Sequence, residues 1–406
     1  GGYMPTQFGV GFSEQADSRQ AGVEAAAAAL AEAGPGRCDL ALLFSTSKHA
    51  PRQLRDGVRS VIGPAARLIG GYSAGAITRE KLGYEGFQVI VGVMSSDSIQ
   101  VDMFIEGGLS GNEREVGRAL ARQIRSKTYS GEPNILLMYD SVRESVASGA
   151  ALNLATPLIA GMTDVLETWP RAAGVGMMGD MQWNPTYQWF DDRIEQHSAM
   201  ALVLSGGVRL DTIIMHGCKP GSAYHTITRA EGPAVVEIDG RPALEVIAEL
   251  LGPEYDRSWE EYPIFVTLGV NKGDKFGPFR EEDYANRLCM AVDQERKALI
   301  MFEDDLKTGD EVQLMRRSID FEYMGARVGD LLRRVGDRRP LFALYIDCTG
   351  RAGTYCGTER EEAEEVQKAI GTRMPLLGMY SGVEIAKVGG SMQALDYTGV
   401  LCVFSE

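Results

Sequence analysis

The sequence repeats one order of secondary structure three times: a helix, a strand, a second helix, a glycine-containing turn and a closing strand. The first and last turns share a motif, Gly70-Gly71-Tyr72-Ser73 and Gly378-Met379-Tyr380-Ser381. Short apolar runs bounded by Gly or Pro favour strands over helix fragments. Because glycine lacks a Cβ, we interpret these turns as backbone that approaches a ligand closely.

The three copies are predicted at these positions. The first has helices at 21–33 and 52–62 and strands at 40–44 and 87–94. The middle one has helices at 115–125 and 150–166, strands at 135–139 and 200–204, and a turn at 174–180. The last has helices at 323–335 and 359–370 and strands at 341–345 and 399–404. These periods exceed those of solenoid repeats, so we expect an α/β protein of repeated helix-strand-helix-strand units forming mixed sheets.

Between the second and third copies, from about 207 to 317, strand pairs joined by turns replace this order. Asp239-Gly240 is a hairpin-type dipeptide, and a helix at 243–251 stops at Gly252-Pro253. We place a domain boundary near Gly240. The prediction is therefore two domains with a β-rich connecting segment: residues 1–240 with two related units, and residues 241–406 with a β-rich start and the third unit.

Composition excludes several classes of partner. Acidic residues outnumber basic ones 56 to 41, a formal charge of −15, which disfavours nucleic-acid binding. No apolar run reaches the roughly 18 residues of a membrane helix, and no signal-peptide pattern is visible. The six cysteines show no metal-binding spacing. We expect a cytoplasmic protein without a nucleic-acid or membrane partner.

Ligands of open α/β sheets gather beyond the carboxyl ends of the strands. That rule points to three loops, at 45–47, 140–141 and 347–351, and to the glycine turns. Met177 and Met178 in the middle turn could line an apolar pocket. The candidate ligand-binding residues are Gly71, Tyr72, Ser73, Gly75, Asp180, Cys348, Arg351, Tyr380, Ser381 and Glu384.

The loop at 347–351 offers the most chemistry. Arg351 could bind a carboxylate bidentately, or form a surface salt bridge with an acidic residue at 359–365. Cys348 could be a nucleophile if a base lowers its pKa, or a packed thiol; no histidine is near it in sequence. Glu384 could hold an amine or be a solvated turn carboxylate. With Asp347, Cys348 and Glu384 form the candidate catalytic set.

Two of the four histidines, His197 and His216, are the candidates for an axial haem ligand. Neither belongs to a metal-binding motif, and a turn histidine such as His216 is more often structural. Asp180 could cap the following segment or face a ligand. The signatures of ATP, dinucleotide, serine-hydrolase and EF-hand sites are missing from the sequence. No metal and no obligatory cofactor is predicted; haem remains possible.

Taken together, several motifs resemble those of FIST-domain proteins. They are Gly70–Gly75, Gly179-Asp180, residues 237–244, Cys348-Thr349-Gly350-Arg351, residues 377–385 and residues 398–404. The likeness spans nearly the whole chain as a FIST N-domain followed by a FIST C-domain. It implies a sensory module for small ligands, possibly amino acids, working with a signalling protein partner. One branch of the family binds haem and senses nitric oxide.

Three functions remain open from the sequence. The first is a sensor binding a small anionic or zwitterionic molecule between the FIST halves, with its carboxylate on Arg351 and an amine near Glu384. The second is a haem-based nitric oxide sensor. The third is an enzyme using Cys348, Asp347 and Glu384. We expect a non-enzymatic sensor.

Overall fold

A computed structural model describes residues 4–34, 36–144, 151–253, 258, 261–262, 266–318 and 320–406. The predicted class is confirmed: helices and several mixed sheets form two domains. Among the described residues, no helix is long and apolar enough to cross a membrane.

The first two units follow one another. The first contains β1 (Gln7–Ser13), α1 (Ser18–Ala33), β2 (Leu40–Ser45), α2 (Pro51–Ile62), β3 (Arg67–Tyr72), β4 (Gly75–Ile77), β5 (Leu82–Tyr84) and β6 (Val89–Ser95). The second contains β7 (Gln100–Glu106), α3 (Glu113–Arg125), β8 (Asn134–Asp140), β9 (Val142–Glu144), β10 (Ala151–Leu152), α4 (Ala155–Leu166), β11 (Arg171–Met177), β12 (Gln188–Phe190), β13 (Arg193–Glu195) and β14 (Ala199–Ser205).

The third unit is interrupted after its first strand, β15 (Arg209–Met215). The insertion contains β16 (Cys218–Pro220), β17 (His225–Glu231), β18 (Ala234–Ile238), β19 (Arg241–Pro242), α5 (Ala243–Leu251), β20 (Thr267–Asn271), β21 (Tyr284–Asp293), β22 (Ala298–Met301) and β23 (Glu311–Arg317). The unit resumes with α6 (Tyr323–Val335), β24 (Pro340–Cys348), α7 (Gly353–Cys356), α8 (Ala363–Ile370), β25 (Leu376–Ser381), β26 (Val383–Val388), β27 (Ser391–Leu395) and β28 (Gly399–Ser405).

Two predicted helix starts are wrong. The middle helix, expected from residue 150, begins at Ala155; residue 150 itself lies outside the described residues. Ala151–Leu152 form the strand β10 instead, and the side-chain amide of Asn153, which follows that strand, donates to the Asp140 carbonyl. The helix expected from residue 359 begins at Ala363, because α7 and its following turn occupy the chain before it.

The inserted segment closes on itself as a six-stranded antiparallel barrel. The strand order is β23-β17-β18-β22-β21-β20, and β20 pairs back with β23. Helix α5 packs Leu244 and Ile247 into the barrel core. Residue 240 lies in the turn between β18 and β19, within this barrel. By hydrogen bonding, the third unit starts earlier, because β15 pairs with β28 along its whole length.

Each unit completes its sheet with a hairpin from another unit. Hairpin β4–β5 of the first unit pairs with β25 of the third, β12–β13 of the second with β3 of the first, and β26–β27 of the third with β11 of the second. The three sheets are therefore joined by a cyclic exchange of hairpins, and none of them is built from one unit alone.

The three sheets face one shared core, and helices cover their outer faces. In β2, the side chains of Leu42 and Phe44 enter the shared core, whereas Leu43 packs beneath α1 and α2. Phe8, Phe342 and Phe404 stack in this core, with ring centroids 3.8 Å and 4.7 Å apart. Strands buried on both faces explain the continuous apolar runs of the sequence.

Candidate functional site

The repeated Tyr-Ser motif marks the crossing of a strand from one sheet to the next. Strand β3 ends at Tyr72 and the chain enters the exchanged hairpin at Gly75. The shared glycines allow close approaches between strands: a Cβ on Gly70 would clash with the Leu43 carbonyl oxygen of β2, and a Cβ on Gly378 would lie 2.8 Å from the Cβ of Ile77 in the hairpin. The close approach at Gly378 is therefore between two segments of the protein, and the interpretation of these turns as ligand-presenting loops stays a prediction.

The side chains of the first motif are occupied by internal contacts. The Tyr72 hydroxyl donates to the His49 carbonyl at 2.7 Å, and the Ser73 hydroxyl to the Gly75 carbonyl at 3.0 Å. Gly71 packs against Met177, and Gly75 against Tyr380. These positions, with the buried ring of Tyr380, build the junction between sheets.

The three predicted loops do converge. The Ser47 hydroxyl donates to Asp180 of the middle turn. A Cβ on Gly382 would lie 2.7 Å from the Ser141 Oγ and 3.2 Å from the Cβ of Met178. The carboxyl ends of strands from all three units thus meet around Met178.

A small, mostly apolar cavity of about 40 Å³ lies beside this junction. Its walls come from the middle turn, the barrel and the carboxyl ends of β24 and β25. The lining residues are Met178, Met181, Trp183, Leu288, Phe302, Cys348, Thr349, Gly350, Ser381, Gly382, Asp396 and Tyr397. Of the predicted site residues, Cys348 and Ser381 line it.

Trp183 and Phe302 meet at this cavity from opposite sides, with ring centroids 6.1 Å apart. Trp183 belongs to the loop between β11 and β12 and has φ +59°, a conformation that is strained for a bulky residue. Asp180 fixes the base of this loop by accepting the N–H of Gln182 and the side-chain amide of Asn184. Asp180 thus acts as a loop cap, one of its two predicted roles.

Arg351 lies in a buried ion pair. Its Nε and Nη2 donate to the two carboxylate oxygens of Glu362, at 2.5 and 2.8 Å. Two further bonds reach the carbonyls of Tyr397 and His216, both at 2.8 Å. Four of its five N–H groups are therefore in use. The partner falls within the acidic segment 359–365 that the sequence suggested, but the pair is buried rather than on the surface.

Asp347 is fully buried beside this pair, 3.9 Å from the Nε of Arg351. Burial and then the charge of Glu362 raise the pKa of Asp347 well above its usual value. Burial opposes ionisation of Glu362 too, but Arg351 outweighs it and lowers the pKa of Glu362. Neither oxygen of Asp347 has a hydrogen-bond partner, so no bond stabilises its charge and the protonated form is favoured.

Glu384 is buried beneath Ser381. Its Oε2 lies 2.6 Å from the Ser381 Oγ, and its Oε1 accepts the N–H of Thr398 at 3.1 Å. The Ser381 Oγ also lies 3.0 Å from the Asp347 carbonyl, yet a hydroxyl has one proton. Burial raises the pKa of Glu384 well above its usual value. A protonated Glu384 that donates to Ser381, which in turn donates to the carbonyl, satisfies both contacts.

Two further buried carboxyls were missed from the sequence. Asp396 lines the cavity: its Oδ2 accepts the N–H of Leu288 at 3.2 Å, and its Oδ1 has no partner. Burial raises the pKa of Asp396 to about 6. Glu303 follows Phe302, and burial together with the nearby charge of Asp396 raises the pKa of Glu303 to about 8. No local motif surrounds either residue, so no sequence signal marks them.

Cys348 is not placed as an activated nucleophile. Its thiol is buried, and burial followed by the charge of Glu384 raises the pKa of Cys348 well above its usual value. A nucleophilic cysteine needs the opposite shift, from a neighbouring cation or base. The geometry is that of a packed thiol at the edge of a cavity.

The two candidate histidines have different surroundings in the fold. The Nδ1 of His216 accepts the Cys218 N–H at 2.9 Å, and its Nε2 lies 3.1 Å from the Glu281 carbonyl. Burial lowers the pKa of His216 to about 3. The ring is therefore neutral, and both of its nitrogens are used in these two contacts. His197 packs its Nδ1 near Ser110 and lines neither this cavity nor the larger polar groove of about 740 Å³ beside β15.

Comparison with known proteins gives a family but no activity. Uncharacterised proteins of Mycobacterium tuberculosis and Mycobacterium bovis are 24% and 22% identical, over 98% of this chain and 100% and 99% of theirs. A cyanuric acid hydrolase from A. caulinodans covers 50% of this chain and 71% of its own, at 9% identity and a TM-score of 0.27, which is too low to support an argument. The FIST N domain model matches residues 39–241 and the FIST C domain model residues 243–387. The chain therefore belongs to the FIST family, whose domains are associated with signal transduction and small-ligand sensing.

Proposed function

We propose that this protein is a small-molecule sensor whose ligand occupies the cavity between the FIST N and FIST C domains. One observation carries the proposal: the cavity wall is shared, with Trp183 supplied by the N domain and Phe302 by the C domain. A ligand there contacts both domains at once. A sensor needs a ligand whose affinity differs between two arrangements of the protein. A site that touches both domains can supply that difference, because its affinity depends on how the domains are placed.

The cover of the cavity is held weakly enough to open. Trp183 and Phe302 form one tilted aromatic pair, and such pairs contribute about 0.5–1.5 kcal/mol beyond burial. Asp180 accepts from Gln182 and Asn184, on either side of Trp183, so the backbone stays fixed and opening would involve rotation of the Trp183 side chain alone. Ligand entry would break this pair, and ligand binding would set a new distance between the domains at this point.

The polar contacts differ from those expected for an anion. Arg351 does not line the cavity and already donates to Glu362 and two carbonyls, so a ligand carboxylate has no partner there. Ser381 lines the cavity and connects it to Glu384. If the ligand is amino-acid-like, its amine faces Ser381 and Asp396.

A signalling protein partner completes the proposal, because the family is associated with signal transduction. The partner would recognise the surface around the loop that carries Trp183. All six cysteines are free, which agrees with a reducing, cytoplasmic location.

A thermal-shift screen of small metabolites against the whole chain tests the function. Phe302→Ala removes one side of the cavity cover, and Phe276→Ala removes an aromatic ring of the same barrel that is 89% exposed and lies outside the cavity. We expect compounds that stabilise the wild type and the Phe276→Ala control but not Phe302→Ala. Compounds that stabilise all three proteins equally would place the binding site elsewhere.

A further inference from the structure

Two hydroxyls that line the cavity, those of Thr349 and Ser381, already donate their hydrogens elsewhere, and one carboxyl oxygen is unpaired. Thr349 donates its hydroxyl to the Ser381 carbonyl at 2.8 Å. The hydroxyl hydrogen of Ser381 serves the Asp347 carbonyl, at 3.0 Å. Asp396, which is 2% exposed, presents an Oδ1 without a partner. A ligand that matches these groups must bring hydrogen-bond donors, because a buried acceptor left unpaired costs free energy.

Asp396 is the ionised group that favours a positive ligand at neutral pH, because Glu303 and Glu384 hold protons there. Arg287 stands behind Asp396, but its guanidinium forms two bonds to Asp305, of 2.7 and 2.5 Å. Arg351 is matched by Glu362 in the same way. Glu303, Glu384 and Asp396 are left without a cation of their own among the described residues. A cation bound in the cavity would favour the ionised form of these three buried carboxyls and so oppose their protonation.

The remaining walls are apolar and aromatic. Met178, Met181 and Leu288 surround the cavity, and Trp183 and Phe302 present rings that attract cations as well as hydrocarbon. The free volume of about 40 Å³ is close to the roughly 30 Å³ share of a liquid water molecule. It holds an ammonium-sized head group, and a longer body displaces the Trp183 ring.

We infer that the ligand of the proposed sensor is a small organic cation, a primary amine with a short apolar body, whose ammonium group is held by Asp396 and Ser381. This inference rests on the proposed function and names the ligand class of the same cavity. The ammonium donates to Asp396 Oδ1 and to a lone pair of Ser381 Oγ. The apolar body lies against Phe302, Trp183 and the methionines.

Three probes of similar size separate the alternatives: n-butylamine, n-butanol and butyrate, titrated at neutral pH into the whole chain by calorimetry. We expect the amine to bind at least about tenfold more tightly than the alcohol, and butyrate to be weakest. Asp396→Asn removes the negative charge and places an N–H donor at the cavity. It should lower the affinity for butylamine at least about tenfold and leave the affinity for butanol unchanged. Should this variant not fold, the preference of the wild type for amine over butyrate decides alone.

The outcomes distinguish the ligand class from the function. Butyrate binding as tightly as butylamine, no amine binding at millimolar concentration, or an unchanged amine affinity in Asp396→Asn would each overturn the inference. If a metabolite screen then finds acids or neutral compounds whose binding Phe302→Ala abolishes, the sensor proposal stands without the amine. If every compound found binds Phe302→Ala as well as wild type, the site itself is wrong.

Discussion

The carboxylate Oε1 of Glu303, in the barrel, accepts both the backbone N–H and the hydroxyl of Thr156, each at 2.7 Å. Thr156 is in the first turn of α4, so a C-domain carboxyl caps an N-domain helix. Glu303 also follows Phe302 directly, which places this cap beside the cavity cover. The domains are thus joined through a buried acid.

This cap predicts a pH-dependent stability. Glu303 has a pKa of about 8 in the fold against an ordinary value of 4.5, so between these pH values the folded state holds a proton that the unfolded state has lost. The free energy of unfolding therefore falls as pH rises through this window, by at most about 1.4 kcal/mol per pH unit. Glu303→Gln lacks this titration, so its stability relative to wild type should increase from pH 5 to pH 8. Denaturant unfolding at both pH values measures it, and a constant difference would contradict the assignment.

The buried pair of Arg351 and Glu362 predicts a large loss of stability when one partner is removed. Arg351→Ala removes the buried two-bond partner of Glu362 and leaves that carboxylate with Arg317 alone, at 2.8 Å; breaking a buried pair in this way typically costs about 3–5 kcal/mol. Arg360→Ala is the matched control: Arg360 is 62% exposed and pairs with Glu365, and such surface pairs contribute at most about 1 kcal/mol. Chemical denaturation compares the two. Equal losses would mean that burial does not decide the strength of this pair.

The sheet crossing predicts a coupled pair of substitutions. Gly378→Ala places a Cβ 2.8 Å from the Cβ of Ile77 and should cost about 1–3 kcal/mol through overpacking. Ile77→Gly removes that Cβ and should recover part of this loss in the double variant, giving a coupling of about 0.5–3 kcal/mol. Gly325→Ala is the control, since nothing lies within 4 Å of the added Cβ in helix α6; there we expect a small gain. Strict additivity of Gly378→Ala and Ile77→Gly would argue against the contact.

The amine site predicts how ligand affinity depends on pH. Asp396 has a pKa of about 6 and must be ionised to hold an ammonium group. The groups facing it are Arg287, whose charge favours ionisation, and Asp305, Glu303 and Glu384, whose charges oppose it. Butylamine stays protonated throughout, so its affinity should rise from pH 5 to pH 7 and then level off. The same titration with Asp396→Asn should be flat, and a parallel slope in both proteins would exclude Asp396 as the cause.

The sequence predicted the units well because each has its own periodicity. The strand expected at 40–44 is Leu40–Ser45, and the helix expected at 323–335 is Tyr323–Val335. The pairing of β4 with β25 could not be predicted, because no local sequence pattern indicates which distant sheet edge a short hairpin joins. The glycines of the motif were recognised, but not their neighbours: Gly70 approaches Leu43 of its own unit, and Gly378 approaches Ile77 of another.

The same limit applies to the candidate site. Arg351 and Cys348 stood out because polar residues after an apolar strand are conspicuous, yet one is held by Glu362 and the other is a buried thiol. Asp396 and Glu303 looked like ordinary loop acids. Their unusual pKa values come from burial by segments far away in sequence, and that information exists only in the folded chain.

The cyclic exchange of hairpins also constrains how the chain is made. During synthesis, the hairpin of β4 and β5 leaves the ribosome long before β25, the strand on which it docks. Strand β3 likewise lacks its neighbour until β12 has been synthesised, and β11 lacks its neighbour until β26 has been synthesised. The nascent first unit therefore carries an unpaired sheet edge until the last unit emerges. Folding of the whole chain is tied to completion of its final strands, and a chain released early exposes edges that only the missing part can cover.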